Sequence, residues 1–301
     1  MEPERRSHLV LNSFWLKIIA MITMTFDHVG VVLASSGYAE TWFVILYTVF
    51  RYIGRLSLPL YCFLITEGVI HTKKAWKYFL RLGIMAIAIG TVLIVAEYVP
   101  DLPSLRLQGN IFMDLLLGAV AVYCLKNKRW YVKVLAALPL AWGIVCFFAR
   151  GYENAGEGLV HIVPFFLRPQ YDWFSILLIV LFYVAYLLTD LFLKRHSEQS
   201  GLDVDVLRGS NIERNAANII CVGMLIFTSL LYFLSSFVIP EDYVYWNPVI
   251  QNFAMVAGAF LLLYNGRRGY NAKWFQYGSY LFYPLHIAII FGIGLLVMIL
   301  T

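Results

Sequence analysis

Nine stretches of roughly 20 mostly apolar residues follow one another along this 301-residue chain, near 14–35, 45–70, 75–98, 110–126, 130–149, 172–193, 216–239, 247–264 and 275–299. A helix of that length crosses the hydrocarbon core of a bilayer, where only helices and closed barrels satisfy their backbone polar groups. The pattern predicts an all-α fold, a polytopic membrane helical bundle of about nine transmembrane helices (range eight to ten), forming one domain over residues 1–301. Composition agrees. The chain is 61% hydrophobic and 14% charged, against ~45–50% and ~25% for soluble domains. A soluble core could not hide that excess. The net charge of +5 is spread over several short loops, not gathered in a stripe, which argues against a nucleic-acid partner. Cys62, Cys124, Cys146 and Cys221 all fall in apolar stretches without CxxC spacing, so neither a metal site nor a disulfide framework is expected. The first apolar segment carries charges and no small-residue cleavage site, so it reads as a span and not a cleavable signal.

Positive charge orients such a bundle. With the N-terminus in the cytoplasm, 17 of the 23 Lys and Arg fall in inside segments and only Arg106, Arg150 and Arg168 outside. This alternation predicts a cytoplasmic N-terminus and an external C-terminus. Two connections are longer, 150–171 and 194–215, and the second reads as a solvated loop.

The first two spans carry six ionisable residues, Lys17, Asp27, His28, Arg51, Arg55 and Glu67. A charge at the centre of a membrane helix costs roughly 2.5–3.5 kcal/mol on insertion scales, so these groups must face the interior and find partners. At about 1.5 Å per residue, Asp27 and His28 stand roughly 15 Å above Lys17, and Arg55 roughly 18 Å above Glu67 on the descending second span. Matching depth pairs Lys17 with Glu67 and Asp27 with Arg55. Lys17 and His28, eleven residues apart, share a stripe of the first helix. Asp27 and His28 diverge by about 100°, which makes Asp27 an arginine partner and leaves His28 free to act. His286, in YLFYPLHI of the last span, reaches the height of His28, with Pro284 beside it; Asn110 and Asp114 open the fourth span in NIFMD. Asp27, His28, Arg51, Arg55, Asn110, Asp114 and His286 are expected to converge in the outer half of the membrane.

Several of these stretches resemble the TraX family of conjugation-linked inner-membrane proteins: LKIIAMITMTFDHVG (Leu16–Gly30), YIGRLSLPLYCFLITEGVIHT (Tyr52–Thr72), NIFMDLLLG (Asn110–Gly118) and YLFYPLHI (Tyr280–Ile287). Asp114 departs from the small polar residue, such as threonine, expected there. The family is known for N-acetylation of pilin. It is also similar to membrane acyltransferases of the acyltransferase-3 type, whose Arg/Lys-x10-His spacing Lys17 and His28 reproduce, and to the lysosomal heparan-glucosamine acetyltransferase. The resemblance implies a multi-pass protein of the bacterial inner membrane that takes acetyl-CoA from the cytoplasm as co-substrate, without a metal. The resemblance further implies transfer of the acetyl group to an amine or hydroxyl of a protein or saccharide acceptor nearer the outer face.

Such a reaction needs a base and stabilisation of a developing oxyanion. His28 is the candidate base or transient acyl carrier, with Asp27 and His286 completing the catalytic set. His286 or Asn110 would polarise the thioester carbonyl or orient the acceptor. Arg51 and Arg55 would stabilise negative charge or hold Asp27, and Lys17 and Glu67 lie at the depth of the cofactor's pantetheine or diphosphate. Lys73, Lys74, Arg267 and Arg268 are candidates for its nucleotide end. Membrane lipids are the remaining partner, and an oligomer is compatible with the chain. The competing reading is a proton-coupled transporter, since intramembrane His, Asp and Arg also suit proton relays; a non-catalytic scaffold has little use for six buried ionisable groups.

Overall fold

The computed structural model describes residues 9–37, 40–97, 109–154, 163–164, 167–240, 243 and 247–300. His8, Arg106 and His161 lie outside them. Among the described residues every regular element is a helix: α1 (Ser13–Ser35), α2 (Thr41–Gly54), α3 (Ser57–His71), α4 (Ala75–Glu97), α5 (Ile111–Lys126), α6 (Trp130–Val134), α7 (Ala137–Asn154), α8 (Asp172–Ser200), α9 (Val204–Leu207), α10 (Asn211–Ser235), α11 (Pro248–Asn252), α12 (Gly258–Leu262) and α13 (Lys273–Leu300), with a 3-10 turn at Phe253–Ala257. The protein is a multi-pass integral membrane bundle.

Seven of the nine expected spans are long and apolar enough to cross a bilayer, among them α2 and α3 joined as Thr41–His71 and α6 and α7 joined as Trp130–Asn154. The other two are shorter: α5 has 16 residues, and Pro248–Leu262 is an apolar helical stretch interrupted by its 3-10 turn. The expected loop 194–215 is largely helical instead. α8 runs on to Ser200, where Gly201 closes it at φ 70°, and Ser210 caps α10 by accepting from Ile212 and Glu213 N–H. Sequence reading took its charges for a loop, but exposed charged residues continue a helix beyond the membrane just as well.

Both joined spans break where proline demands it. Pro59 offers no N–H to the Arg55 carbonyl four residues back and its ring crowds that carbonyl; the chain turns at Arg55–Leu56 before resuming as α3. Pro139 stands in the same relation to Leu135, where α6 gives way to α7. The first of these breaks sets Arg55 in the protein interior.

α3 is the buried centre, with Leu60, Cys62 and Phe63 fully enclosed, and α1, α5 and α8 pack around it. All four cysteines are free and buried. Lipid-facing side chains such as Trp42, Ile87, Leu138 and Ile293 remain exposed, as expected where hydrocarbon replaces water. α13 packs chiefly on α1. At one end the segment before α1 is strapped to the turn before α13: Leu11 N–H donates to Leu263 O at 2.9 Å, Asn265 N–H to Leu11 O at 2.8 Å, Ser13 N–H to Arg267 O at 2.9 Å and Phe14 N–H to Arg268 O at 3.2 Å. Gly266 and Gly269 take φ of 73° and 70° in that turn, a region costly for side-chain-bearing residues.

Candidate functional site

Asp27 sits on the α1 face turned to α2 and receives both arginines. Arg55 Nη2 approaches its Oδ1 at 2.6 Å and Arg51 Nη1 the same oxygen at 2.9 Å. The (i, i+4) spacing puts both guanidiniums on one face, and the depth argument paired Asp27 with Arg55 correctly. Gly54 makes the approach possible: a Cβ there would lie 2.2 Å from that of Asp27. Arg55 also donates to Gln251 Oε1 at 3.2 Å and to the Tyr171 hydroxyl at 3.5 Å. A guanidinium with 2% side-chain exposure is thus carried by groups from α1, α11 and the start of α8.

His28 meets the last helix. Its Nδ1 lies 2.8 Å from His286 Nε2, and His286 Nδ1 lies 2.8 Å from the Phe282 carbonyl. A carbonyl only accepts, so His286 carries its proton on Nδ1 and, when neutral, accepts at Nε2; His28 must then donate from Nδ1. The chain of bonds leaves His28 Nε2 as an unprotonated lone pair. Asp27, committed to the arginines, takes no part in orienting the ring.

A cavity of about 720 Å³ opens at the basic end of the bundle, within the ~300–1,000 Å³ usual for small-molecule sites. Lys17, Lys73, Arg81 and Arg268 line it, together with Tyr61, Tyr78, Tyr280 and Tyr283. Tyr283 touches His28 edge-on, ring centroids 6.2 Å apart, so one ring of the cavity lining connects it to the histidine pair, though neither His28 nor His286 lines the cavity itself. Of the four loop cations singled out for a nucleotide, Lys73 and Arg268 line the cavity and Lys74 and Arg267 do not. The N-terminus of α1 borders it too, but its first N–H groups already donate to Arg267 O, Arg268 O and Asn12 Oδ1. Anion binding there falls to side chains.

Lys17 and Glu67 both line this cavity but do not pair. Glu67 turns toward α8 and α10, accepts from the Tyr186 hydroxyl and from the Tyr264 hydroxyl at 2.9 Å, and has Arg214 at 3.9 Å. Lys17 Nζ lies over the Phe275 ring at 5.6 Å. Depth was right and azimuth was not: matching heights do not tell which neighbour a side chain faces.

Asn110 and Asp114 do not join the histidines either. Asn110 accepts from Phe112 N–H as the α5 cap and donates to Ala86 O at 2.7 Å. Asp114 accepts from Gln170 N–H, from Tyr171 N–H at 3.0 Å and from the Ser175 hydroxyl. With Arg150 bound to Pro169 O at 3.0 Å and to Asp172 at 3.1 Å, these residues clamp the 168–172 segment and hold Asp172 at φ 50°. The clamp delivers Tyr171 to Arg55.

Sequence reading missed Tyr171, Gln251, Arg81, Arg214 and Tyr283. It counted Arg150 and Arg168 as loop charges, yet they are 3% and 1% exposed, Arg168 gripping both carboxylate oxygens of Glu153 at 2.5 Å. The acidic residues nearby, Glu153 and Asp172, were the available signal.

Comparison with known proteins places these residues in a family. The TraX protein family model matches residues 13–207, a span that takes in Lys17, Asp27, His28, Arg51, Arg55, Glu67, Asn110 and Asp114 and stops short of His286. The probable fimbrial assembly protein FimC, serogroup H1, of Dichelobacter nodosus is 32% identical over 146 residues, covering 44% of this chain and 57% of that protein. The chain therefore aligns with little more than half of the relative's length. No solved structure matches. On the family match over residues 13–207, this chain belongs to the TraX family.

Proposed function

We propose that the protein is an integral-membrane acetyltransferase that takes the acetyl group of acetyl-CoA from the basic-end cavity and passes it to an amine or hydroxyl acceptor, with His28 as general base. The observation that carries this reading is the cavity itself, which runs from Lys17, Lys73, Arg81 and Arg268 to Tyr283 against the His28 ring. A thioester cofactor bearing phosphates at one end and its reactive group at the other suits a pocket lined by cations and, elsewhere, by a tyrosine that touches the base. Among the described residues none of those four cations has a carboxylate partner within ion-pair distance, which leaves them for phosphate.

In this reading Lys17, Lys73, Arg81 and Arg268 hold the phosphates, the tyrosine walls hold the pantetheine arm, and the basic end faces the cytoplasm. His28 Nε2 takes the proton of the acceptor, while His286 fixes the tautomer. Asp27 keeps Arg51 and Arg55 in place and acts on the reaction only through the position of α2 against α1. Such proton transfer typically contributes about 10²–10⁴-fold. The likeness to a probable fimbrial assembly protein of Dichelobacter nodosus supports a fimbrial or pilus subunit amine as the first acceptor to try, with a sugar amine or hydroxyl second. The test is calorimetric binding of coenzyme A to the purified protein, followed by acetyl transfer from labelled acetyl-CoA. Binding and turnover sustain the reading; no binding sinks it, and proton-coupled flux in proteoliposomes would then favour a transporter.

A further inference from the structure

We propose that Tyr283 is a catalytic residue, donating its phenolic O–H to the thioester carbonyl oxygen as the acceptor attacks. This rests on the acetyltransferase reading and names the group that reading leaves open, the donor to the oxyanion.

The earlier candidates are all engaged. Asn110 donates to Ala86 O and accepts from Phe112 N–H. Arg51 and Arg55 are turned to Asp27. The Nδ1 proton of His286 is held by Phe282 O. Neither arginine nor Asn110 lines the cavity.

Tyr283 does line it. It precedes His286 by three residues, so the two share a face of α13. Its ring meets those of His28 and His286 edge-on, at centroid separations of 6.2 and 5.6 Å. Phe112 of α5 packs against it at 5.3 Å, fixing the ring in a residue that is 8% exposed. Its hydroxyl has no hydrogen-bond partner among the described residues and is not among their sealed polar atoms, so it reaches cavity space. A tyrosine hydroxyl enclosed this far usually finds a partner. A carbonyl bound in the cavity would be one, a single ring away from His28.

The acceptor nitrogen attacks the thioester carbon, forming the C–N bond and sending the π pair onto oxygen, where the Tyr283 O–H stabilises the charge and keeps its own proton. The acceptor proton goes to His28 Nε2. As the carbonyl re-forms, the C–S bond breaks and the thiolate takes that proton from His28. No other reactant is required, and His28 and Tyr283 end as they began.

Tyr283→Phe keeps the ring and removes only the donor. With purified protein, acetyl-CoA and a synthetic peptide bearing a free N-terminal amine, thiol release should fall about 10²–10³-fold in kcat, as when one oxyanion donor is removed. Coenzyme A affinity, thermal stability and the midpoint of the pH–rate profile should stay at wild-type values. Tyr123→Phe, which removes an exposed hydroxyl of α5 away from the cavity, should leave kcat at wild type. An active wild type with an equally active Tyr283→Phe overturns this inference alone. A Tyr283→Phe variant that loses coenzyme A affinity or shifts the pH midpoint makes Tyr283 a structural support and overturns it as well. A wild type that neither binds coenzyme A nor releases thiol overturns the acetyltransferase reading and this inference with it.

Discussion

The protein holds two kinds of cation. Around Asp27, and again around Asp172 and Glu153, each buried arginine is matched by a carboxylate at 2.5–3.1 Å. At the basic end Lys17, Lys73, Arg81 and Arg268 surround open space with no carboxylate paired to them. The paired set is architecture: four arginines are held by three carboxylates, and removing one carboxylate strands a buried cation. The second set keeps its charge available, which suits an anionic guest and demands little of the fold.

Substitutions should separate the two sets. The largest effect is expected from Asp27→Ala, which leaves Arg55 buried without its carboxylate and should cost about 3–5 kcal/mol of stability, read as a lower unfolding midpoint in detergent. A midpoint equal to that of the wild type would remove the distinction. His28→Ala should reduce turnover by about 10²–10⁴-fold with the unfolding curve unchanged; retained turnover would move the base elsewhere. Gly54→Ala, whose new methyl would overlap the Asp27 side chain, should cost about 1–3 kcal/mol as an overpacked site, and a neutral result would mean α1 and α2 can part without loss. Smallest in stability but distinct in kind, Lys17→Gln combined with Arg268→Gln should weaken coenzyme A binding and flatten its dependence on salt, while the unfolding midpoint stays put. A destabilised double variant would put these cations with the structural set.

Those outcomes also bear on what a sequence can reveal. The all-helical, multi-pass fold was legible because apolar length is a one-dimensional signal, though only seven of the nine expected spans are long and apolar enough to cross, and the Asp27–Arg55 pair followed from depth along two adjacent helices. The Lys17–Glu67 pair failed because rise per residue says nothing of azimuth, and Glu67 turns to Tyr186, Tyr264 and Arg214 on later elements. The His28–His286 contact was anticipated only as a shared height; the hydrogen bond depends on how α13 rotates against α1. Asp114 looked like a site residue because a buried carboxylate is rare, yet its three donors all come from 170–175, a segment whose course no local pattern foretells. Tyr283 lies inside the YLFYPLHI stretch, three residues before His286, but its contacts with His28 and Phe112 depend on how α13 packs on α1 and α5, which no local pattern gives.

The strap between Leu11–Phe14 and 263–268 has a consequence for the order in which the protein is made. One wall of the cavity is the start of the first helix, but the turn that fastens it is made only after more than 260 residues have been synthesised. His28 likewise waits for His286. During insertion, then, no partial chain owns a finished pocket. A ribosome that stalls before residue 263 leaves a product with helices in the membrane, an unfastened first helix and a solitary histidine. Acquisition of the complete site waits for α13, so a release assay on stepwise-lengthened nascent chains would see the cavity close in one event once that helix has emerged.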